Sequence, residues 1–232
     1  MRSVSRLLVV SLIGLSTACA PDGSSAYVSR NVPLNASCDP VEGGVGIATG
    51  VWDVGSGSSP TSCIHSYEMS LIINSNLKAN ARQATGRAEP NVLLITHADV
   101  RLMDSSESTL DFADAAYPNP YRVQTAASLD PTSSDQPQTG LVQIEAIPKV
   151  YAKKFGSQYD GMNLLVEVQL AGTTTGDVDV EFRPFQMPLI ICKGCMSYCR
   201  NKLDAAMISG LTADRCTDNA AQDNRVCIAD DC

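Results

Sequence analysis

Leu164-Leu165-Val166-Glu167-Val168-Gln169-Leu170 puts Leu164, Val166, Val168 and Leu170 on one side of the chain and Glu167 and Gln169 on the other. A side-chain period of two is that of a β-strand with one buried face. The pattern returns after a short Gly- and Thr-containing stretch. Val178, Val180 and Phe182 share one side there, and the carboxylates of Asp177, Asp179 and Glu181 the other. After Pro184, Phe185 to Ile191 continues as a further strand. Towards the N-terminus, Tyr121, Val123, Thr125, Ala127 and Leu129 alternate, and so do Met69, Leu71 and Ile73. The long run from Val92 to Met103 predicts a strand with Val92, Leu94, Ala98, Val100 and Leu102 on one face. Leu141 to Ile147 is another strand. Pro148 then suits the first position of a short helix through Phe155. Residues 39–62 are rich in Gly and Ser and predict a loop or edge strand around Val45 to Trp52, with Trp52 filling core. Seven or more strands with almost no helix imply an all-β protein. The expected architecture is an antiparallel β-sandwich, immunoglobulin-like, with a jelly roll as the alternative.

The first residues carry a different message. Arg2 and Arg6 precede the apolar run Leu7 to Leu15, then Ser16-Thr17-Ala18-Cys19. The apolar run is far short of the ~20 residues that span a bilayer. A basic start, apolar middle, small residues and a cysteine together resemble a bacterial lipoprotein signal peptide, although Ser16 stands where a lipobox usually carries Leu. Ordinary cleavage after Cys19-Ala20 would fall before Pro21, a poor site because proline lacks an N–H and distorts the extended substrate. The expectation is therefore cleavage after residue 18 and lipidation of Cys19. More than one acyl chain, at about 0.8 kcal/mol per buried methylene, gives stable anchoring. Residues 19–37 read as a lipidated tether of about 20–25 Å if flexible. Residues 38–191 read as the sandwich domain and residues 192–232 as a cysteine-rich appendix packed on it.

The chain has 232 residues, a net charge of −8 and nine cysteines. Losing Arg2 and Arg6 makes the mature chain more acidic still. An acidic chain without a basic patch argues against nucleic acid as a partner. Setting Cys19 aside leaves Cys38, Cys63, Cys192, Cys195, Cys199, Cys216, Cys227 and Cys232, an even set that in an exported protein reads as disulfides. Cys38 and Cys63 are alone in the first half and are expected to pair, stabilising by about 3–4 kcal/mol in the chain-entropy model. The remaining six crowd the end and are expected to pair among themselves.

Phe182 to Cys199, centred on Pro188-Leu189-Ile190-Ile191-Cys192-Lys193-Gly194-Cys195, is similar to the end of uncharacterised outer-membrane lipoproteins of myxobacterial type. The Tyr-led strand and Asn-containing stretch Tyr67 to Leu77 resemble the same family. So do Ala98-Asp99-Val100-Arg101-Leu102 and Gln222-Asp223 in the cysteine-rich end. The resemblance implies an outer-membrane, lipid-anchored location and adds no reaction.

Several residue groups invite a chemical reading. Cys192-Lys193-Gly194-Cys195 has the C-x-x-C spacing of a redox pair or half a zinc site. Export to an oxidising compartment favours a structural disulfide instead. His65 and His97 are the only histidines, and no Gly-x-Ser-x-Gly elbow accompanies them. Asp177, Asp179 and Glu181 fit a solvated outer face better than a Ca²⁺ site. Gly44-Val45-Gly46-Ile47-Ala48-Thr49-Gly50 departs from phosphate-loop spacing and reads as a β connection. Residues 200–210 predict a short helix with Leu203 and Met207 on one face. The functional expectation is a lipid-anchored cell-envelope protein with a non-catalytic binding or structural role, no cofactor or metal, and the membrane as its partner. Envelope proteins and glycans are the ligand classes this location allows. The rivals are an envelope hydrolase using His65 or His97, and a metal- or redox-active cysteine module.

Overall fold

The computed structural model describes residues 25–33, 39–41, 43–55, 66–79, 91–158, 161–199, 223 and 227–229. Cys19, Cys38, Cys63, His65, Cys216, Cys232, the part of the expected tether before residue 25 and the helix expected over 200–210 lie outside them. The described residues form eleven strands and one helix: β1 Ala26–Asn31, β2 Gly50–Asp53, β3 Tyr67–Ser75, β4 Leu93–Met103, β5 Tyr121–Leu129, β6 Gln138–Ile147, α1 Val150–Gln158, β7 Asn163–Thr174, β8 Asp179–Glu181, β9 Phe185–Cys192, β10 Ser197–Cys199 and β11 Cys227–Ala229. The protein is all-β. One sheet runs β2-β9-β7-β4-β5, with β8 paired to β7, and a second runs β1-β3-β6; β10 and β11 pair separately.

The alternation in β7 produces its predicted face. Leu164, Val166, Val168 and Leu170 are buried. On β3, Met69, Leu71 and Ile73 join the same hydrophobic cluster. Ser70 and Ile72, on the opposite face of β3, are buried as well, so this central strand is covered on both sides. The cluster draws on both sheets and on α1, which contributes Tyr151, Ala152 and Phe155. Pro148 opens that helix as expected: the Tyr151 N–H donates to the Pro148 carbonyl at 3.0 Å. Trp52 fills core, meeting the Phe155 ring edge-to-face with centroids 5.7 Å apart.

The two sheets are joined by side chains as well as by apolar packing. The Tyr121 hydroxyl on β5 donates to the Ala146 carbonyl on β6, and Thr125 Oγ1 donates to the Gln143 carbonyl at 2.9 Å. Across the molecule, buried Asn31 accepts the Ser70 N–H at 2.8 Å and points its amide nitrogen at Met187 Sδ on β9, 3.4 Å away.

Residues 26–31, expected to belong to the tether, instead form β1 and pair antiparallel with β3, with Ala26 and Asn31 buried. The structure departs from the sequence reading in three further places. The first is β4. Leu93 and Ile95, not Val92 and Leu94, share the buried face with Ala98, Val100 and Leu102, while Leu94 is exposed. Ile95 and His97 face the consecutive residues Gly172 and Ala171 on β7, with a register shift between them. Thr96 is thus an extra residue, a bulge that resets the alternation halfway along the strand. The second is the turn after β7. Asp177 takes a positive φ of 62° and its N–H donates to the Thr174 carbonyl, so it belongs to a turn and not to a strand face. Val178 lies in the same turn and is exposed, leaving Val180 and Phe182 as the buried pair. The third is direction. β2 pairs with β9, and β10 with β11, in parallel, against an expectation of antiparallel pairing throughout. β2 and β9 are far apart in sequence, and no hairpin turn fixes their sense.

Gly172 allows the bulge. A Cβ there would lie 2.1 Å from the Leu94 carbonyl oxygen, so two backbones meet where only a glycine fits. Gly172→Ala should destabilise the fold by about 2–3 kcal/mol, read as a lowered urea midpoint. Gly43→Ala, where a Cβ meets nothing within 4 Å, should change it by no more than about 0.5 kcal/mol.

Candidate functional site

The parallel pair β2–β9 ends where the sequence is richest in chemistry. β2 finishes at Asp53 and β9 at Cys192, which face each other in register. Asp53 is fully buried. One carboxylate oxygen accepts the N–H of Gly55 at 2.8 Å and that of Gly194 at 2.7 Å. The other accepts the N–H of Met196 at 2.8 Å. Three backbone donors thus supply the charge compensation that a buried carboxylate requires. The bond to Gly55 is an Asx-type turn of the kind that Asp-x-Gly sequences favour. The bonds to Gly194 and Met196 hold the turn that carries the C-x-x-C.

Cys192 and Cys195 are joined by a disulfide across that turn, with Cα atoms 5.9 Å apart. Gly194 takes a φ of 67° within it, a left-handed conformation that favours glycine. Cys192 is half-buried and Cys195 exposed. One ligand atom each from Asp53, Cys192 and Cys195 lie within 4.8 Å of one another. As a donor set for a metal, these three are available only when the disulfide is reduced. Of the other cysteines, Cys199 lies in β10 and Cys227 in β11, where Cys199 pairs with Ala229 and Cys227 with Ser197 along the ladder.

A second acidic residue fastens the tail to β2. Asp223 N–H donates to the Val51 carbonyl at 2.6 Å, and its carboxylate accepts the Val51 N–H and the Tyr67 O–H, each at 3.0 Å. One residue therefore takes both backbone groups of Val51. Its φ of 56° is one that Asp tolerates better than most residues. Tyr67 is fully buried, and its hydroxyl leaves no room for a side chain at Gly50, where a Cβ would be 2.1 Å away. That close approach, not phosphate binding, accounts for the last glycine of the run over residues 44–50.

The outer face of the larger sheet carries the polar residues opposite the core. A shallow groove of about 370 Å³ lies there, lined among others by Asp99, Arg101, Pro120, Arg122, Glu167 and Gln169. Arg122 grips Asp99 with two bonds, Nε–Oδ1 at 2.7 Å and Nη2–Oδ2 at 2.9 Å. Arg101 meets Glu167 at 3.2 Å, and Gln186 donates to Glu167 at 2.8 Å. Charge is thereby matched across β5, β4 and β7, and Gln186 on β9 adds a neutral donor. The Arg122 hydrogen bonds hold the Asp99 carboxyl below its ordinary range, against a smaller opposing effect of burial. Tyr121 also lines the groove, but its hydroxyl turns inward to Ala146, and burial raises its pKa well above the ordinary phenol value. His97 sits half-buried on the same strand as Asp99, its Nδ1 2.9 Å from Thr96 Oγ1.

Sequence reasoning found the C-x-x-C and missed the carboxylate that holds it. The signal was there in Asp53-Val54-Gly55 at the end of an apolar strand. Asp179 and Glu181 lie on β8 with Asp177 outside it, so the three carboxylates share no strand face. The chain matches no family profile, no curated protein and no solved structure.

Two outcomes follow from these contacts. Asp223→Ala removes the acceptor of the Val51 N–H and the Tyr67 O–H and should cost about 1–3 kcal/mol. In a double-mutant cycle with Tyr67→Phe, the two changes should be non-additive, measured by urea unfolding. The Asp99 carboxyl has its pKa lowered in the folded state, so its contribution is present above the ordinary value near 3.8 and is lost as the pH falls through the lower native value. Arg122→Gln should move the Asp99 titration midpoint, followed by carbon NMR, back up towards that ordinary value.

Proposed function

We propose that this chain is exported, fastened to the bacterial outer membrane through a lipidated Cys19, and acts there as a non-catalytic binding module. Residues 1–18 are the signal, the residues between Cys19 and β1 the tether, and the two sheets, β1 included, pack as a β-sandwich, immunoglobulin-like in kind, that carries residues 192–232 as a disulfide-stapled appendix. The resemblance of Phe182 to Cys199 to myxobacterial-type lipoproteins supports the same location. The shared cluster of buried residues from both sheets supports the sandwich.

The observation that carries the binding role is the charge-matched groove on the outer sheet face. Its two arginines and two carboxylates are engaged with each other, so they form a fixed hydrogen-bonding floor with little net field. A floor of that kind suits a neutral polar ligand, and the surface glycans of the envelope are the class we assign to it. Buried ion pairs would cost more than they return, but these are partly exposed and are kept for their geometry.

The location and the ligand are tested separately. Cys19→Ser should move the protein from the membrane to the soluble fraction, and unchanged membrane retention would refute lipid anchoring. The double variant Arg122→Ala, Glu167→Ala should lower retention on isolated envelope polysaccharide at least about tenfold (about 1.4 kcal/mol) with little loss of thermal stability. Retention equal to the parent protein would refute the groove as the site. A variant with both His65→Gln and His97→Gln should bind as the parent does; loss of a hydrolytic activity in that variant would favour the enzyme reading.

A further inference from the structure

The Cys192–Cys195 disulfide closes a ring of only four residues, Cys192-Lys193-Gly194-Cys195. A ring that small removes little entropy from the unfolded chain, since the effect grows with loop length. The strands beside it gain little from the link either. β9 is already paired with β2 up to Cys192 itself, and the Val54 N–H extends the contact by donating to the Cys192 carbonyl at 2.9 Å.

The turn also has a second fastening that contains no sulfur. Asp53 holds the N–H groups of Gly194 and Met196 at 2.7 and 2.8 Å. These bonds bracket Cys195 from both sides. Neither bond uses a sulfur atom, so breaking the S–S bond removes neither directly, and the two thiols would stay within reach of each other. The two residues differ in exposure: Cys195 is exposed and Cys192 half-buried at the strand end. A disulfide that contributes little to stability, has one exposed cysteine and sits on a turn with a sulfur-free fastening has the properties of an exchangeable bond.

We propose that Cys192–Cys195 is a thiol–disulfide exchange site whose partner is a dithiol. A thiolate of the dithiol attacks Cys195 Sγ. The Cys192–Cys195 bond breaks, a mixed disulfide forms at Cys195, and Cys192 leaves as a thiolate that takes a proton from water. The second thiol of the partner loses its proton and attacks the partner's own sulfur in the mixed disulfide. Cys195 is released as a thiolate and protonated. The chain gains two electrons and two protons, and the dithiol becomes a disulfide. Oxidation by a partner disulfide is the same path reversed. Asp53 is a positioning residue in this scheme. The proposal rests on the end of β2 and β9 and is independent of the groove.

The test uses the folded mature protein and dithiothreitol as the dithiol. Samples at graded reductant are quenched with iodoacetamide and mapped by peptide mass. Cys192 and Cys195 should be alkylated together at a reductant concentration at least about tenfold below that which speeds amide hydrogen exchange in β4 and β7. The Gly194 and Met196 amides should stay protected in the reduced protein. Protection of both cysteines until the sheets open, or loss of the Gly194 and Met196 protection on reduction, would overturn the proposal. Single-cysteine variants give a second reading that does not require reduction. In Cys192→Ser, the Cys195 thiol should form a mixed disulfide with glutathione disulfide at least about tenfold faster than the Cys192 thiol does in Cys195→Ser. Equal or reversed rates would overturn the assignment of Cys195 as the attacked sulfur.

Discussion

The antiparallel pairing of β4 with β7 is the constraint on which the rest of the structure depends. It runs nearly the full length of both strands, from Leu93–Thr174 to Met103–Leu165. Every other strand of the larger sheet is attached to one of these two or, like β2, through β9. Their inward faces supply Leu93, Ile95, Ala98, Val100 and Leu102 from one strand and Leu164, Val166, Val168 and Leu170 from the other. A pleated strand exposes alternate residues, so a run of eleven residues with an apolar set in two different phases cannot serve one core without a break in register. The bulge at Thr96 is that break, and Gly172 is the residue on the partner strand that makes room for it. Two positions far apart in the chain therefore solve one geometric problem.

Where a strand had one clean alternation, its place in the fold was readable beforehand. β7 and β5 have it, and Pro148 marks the start of the helix. What was not readable has a common physical character. A bulge is invisible to a period-two count because both phases look apolar, as Leu93-Leu94-Ile95 shows. A parallel pairing such as β2 with β9 depends on strands distant in sequence. The turn at Thr174 to Val178 was misread because Val178 continues the alternation by letter, while the backbone has already reversed at Asp177.

The site was legible in the same uneven way. Cysteine spacing pointed to residues 192 and 195, and the pair is joined. The two carboxylates that organise this end of the molecule, buried Asp53 and half-buried Asp223, were not foreseen, because such an acid among exposed ones carries no signature of its own. What marks each is its partners: three backbone N–H groups for Asp53, and the two backbone groups of one residue plus a phenol for Asp223. Both act on β2, a strand of four residues that has too little ladder of its own to hold its place. Polar contacts from residues about 140 and 172 positions away do so in its stead.

Trp52 is the single tryptophan of the chain. It lies on this short strand with its ring against Phe155 and its carbonyl oxygen 3.7 Å from Cys192 Sγ. A ring shielded from water emits further to the blue. The molecule thus carries its own optical gauge at the spot where β2 packs against α1, and the colour of one fluorescence trace reports whether that contact holds.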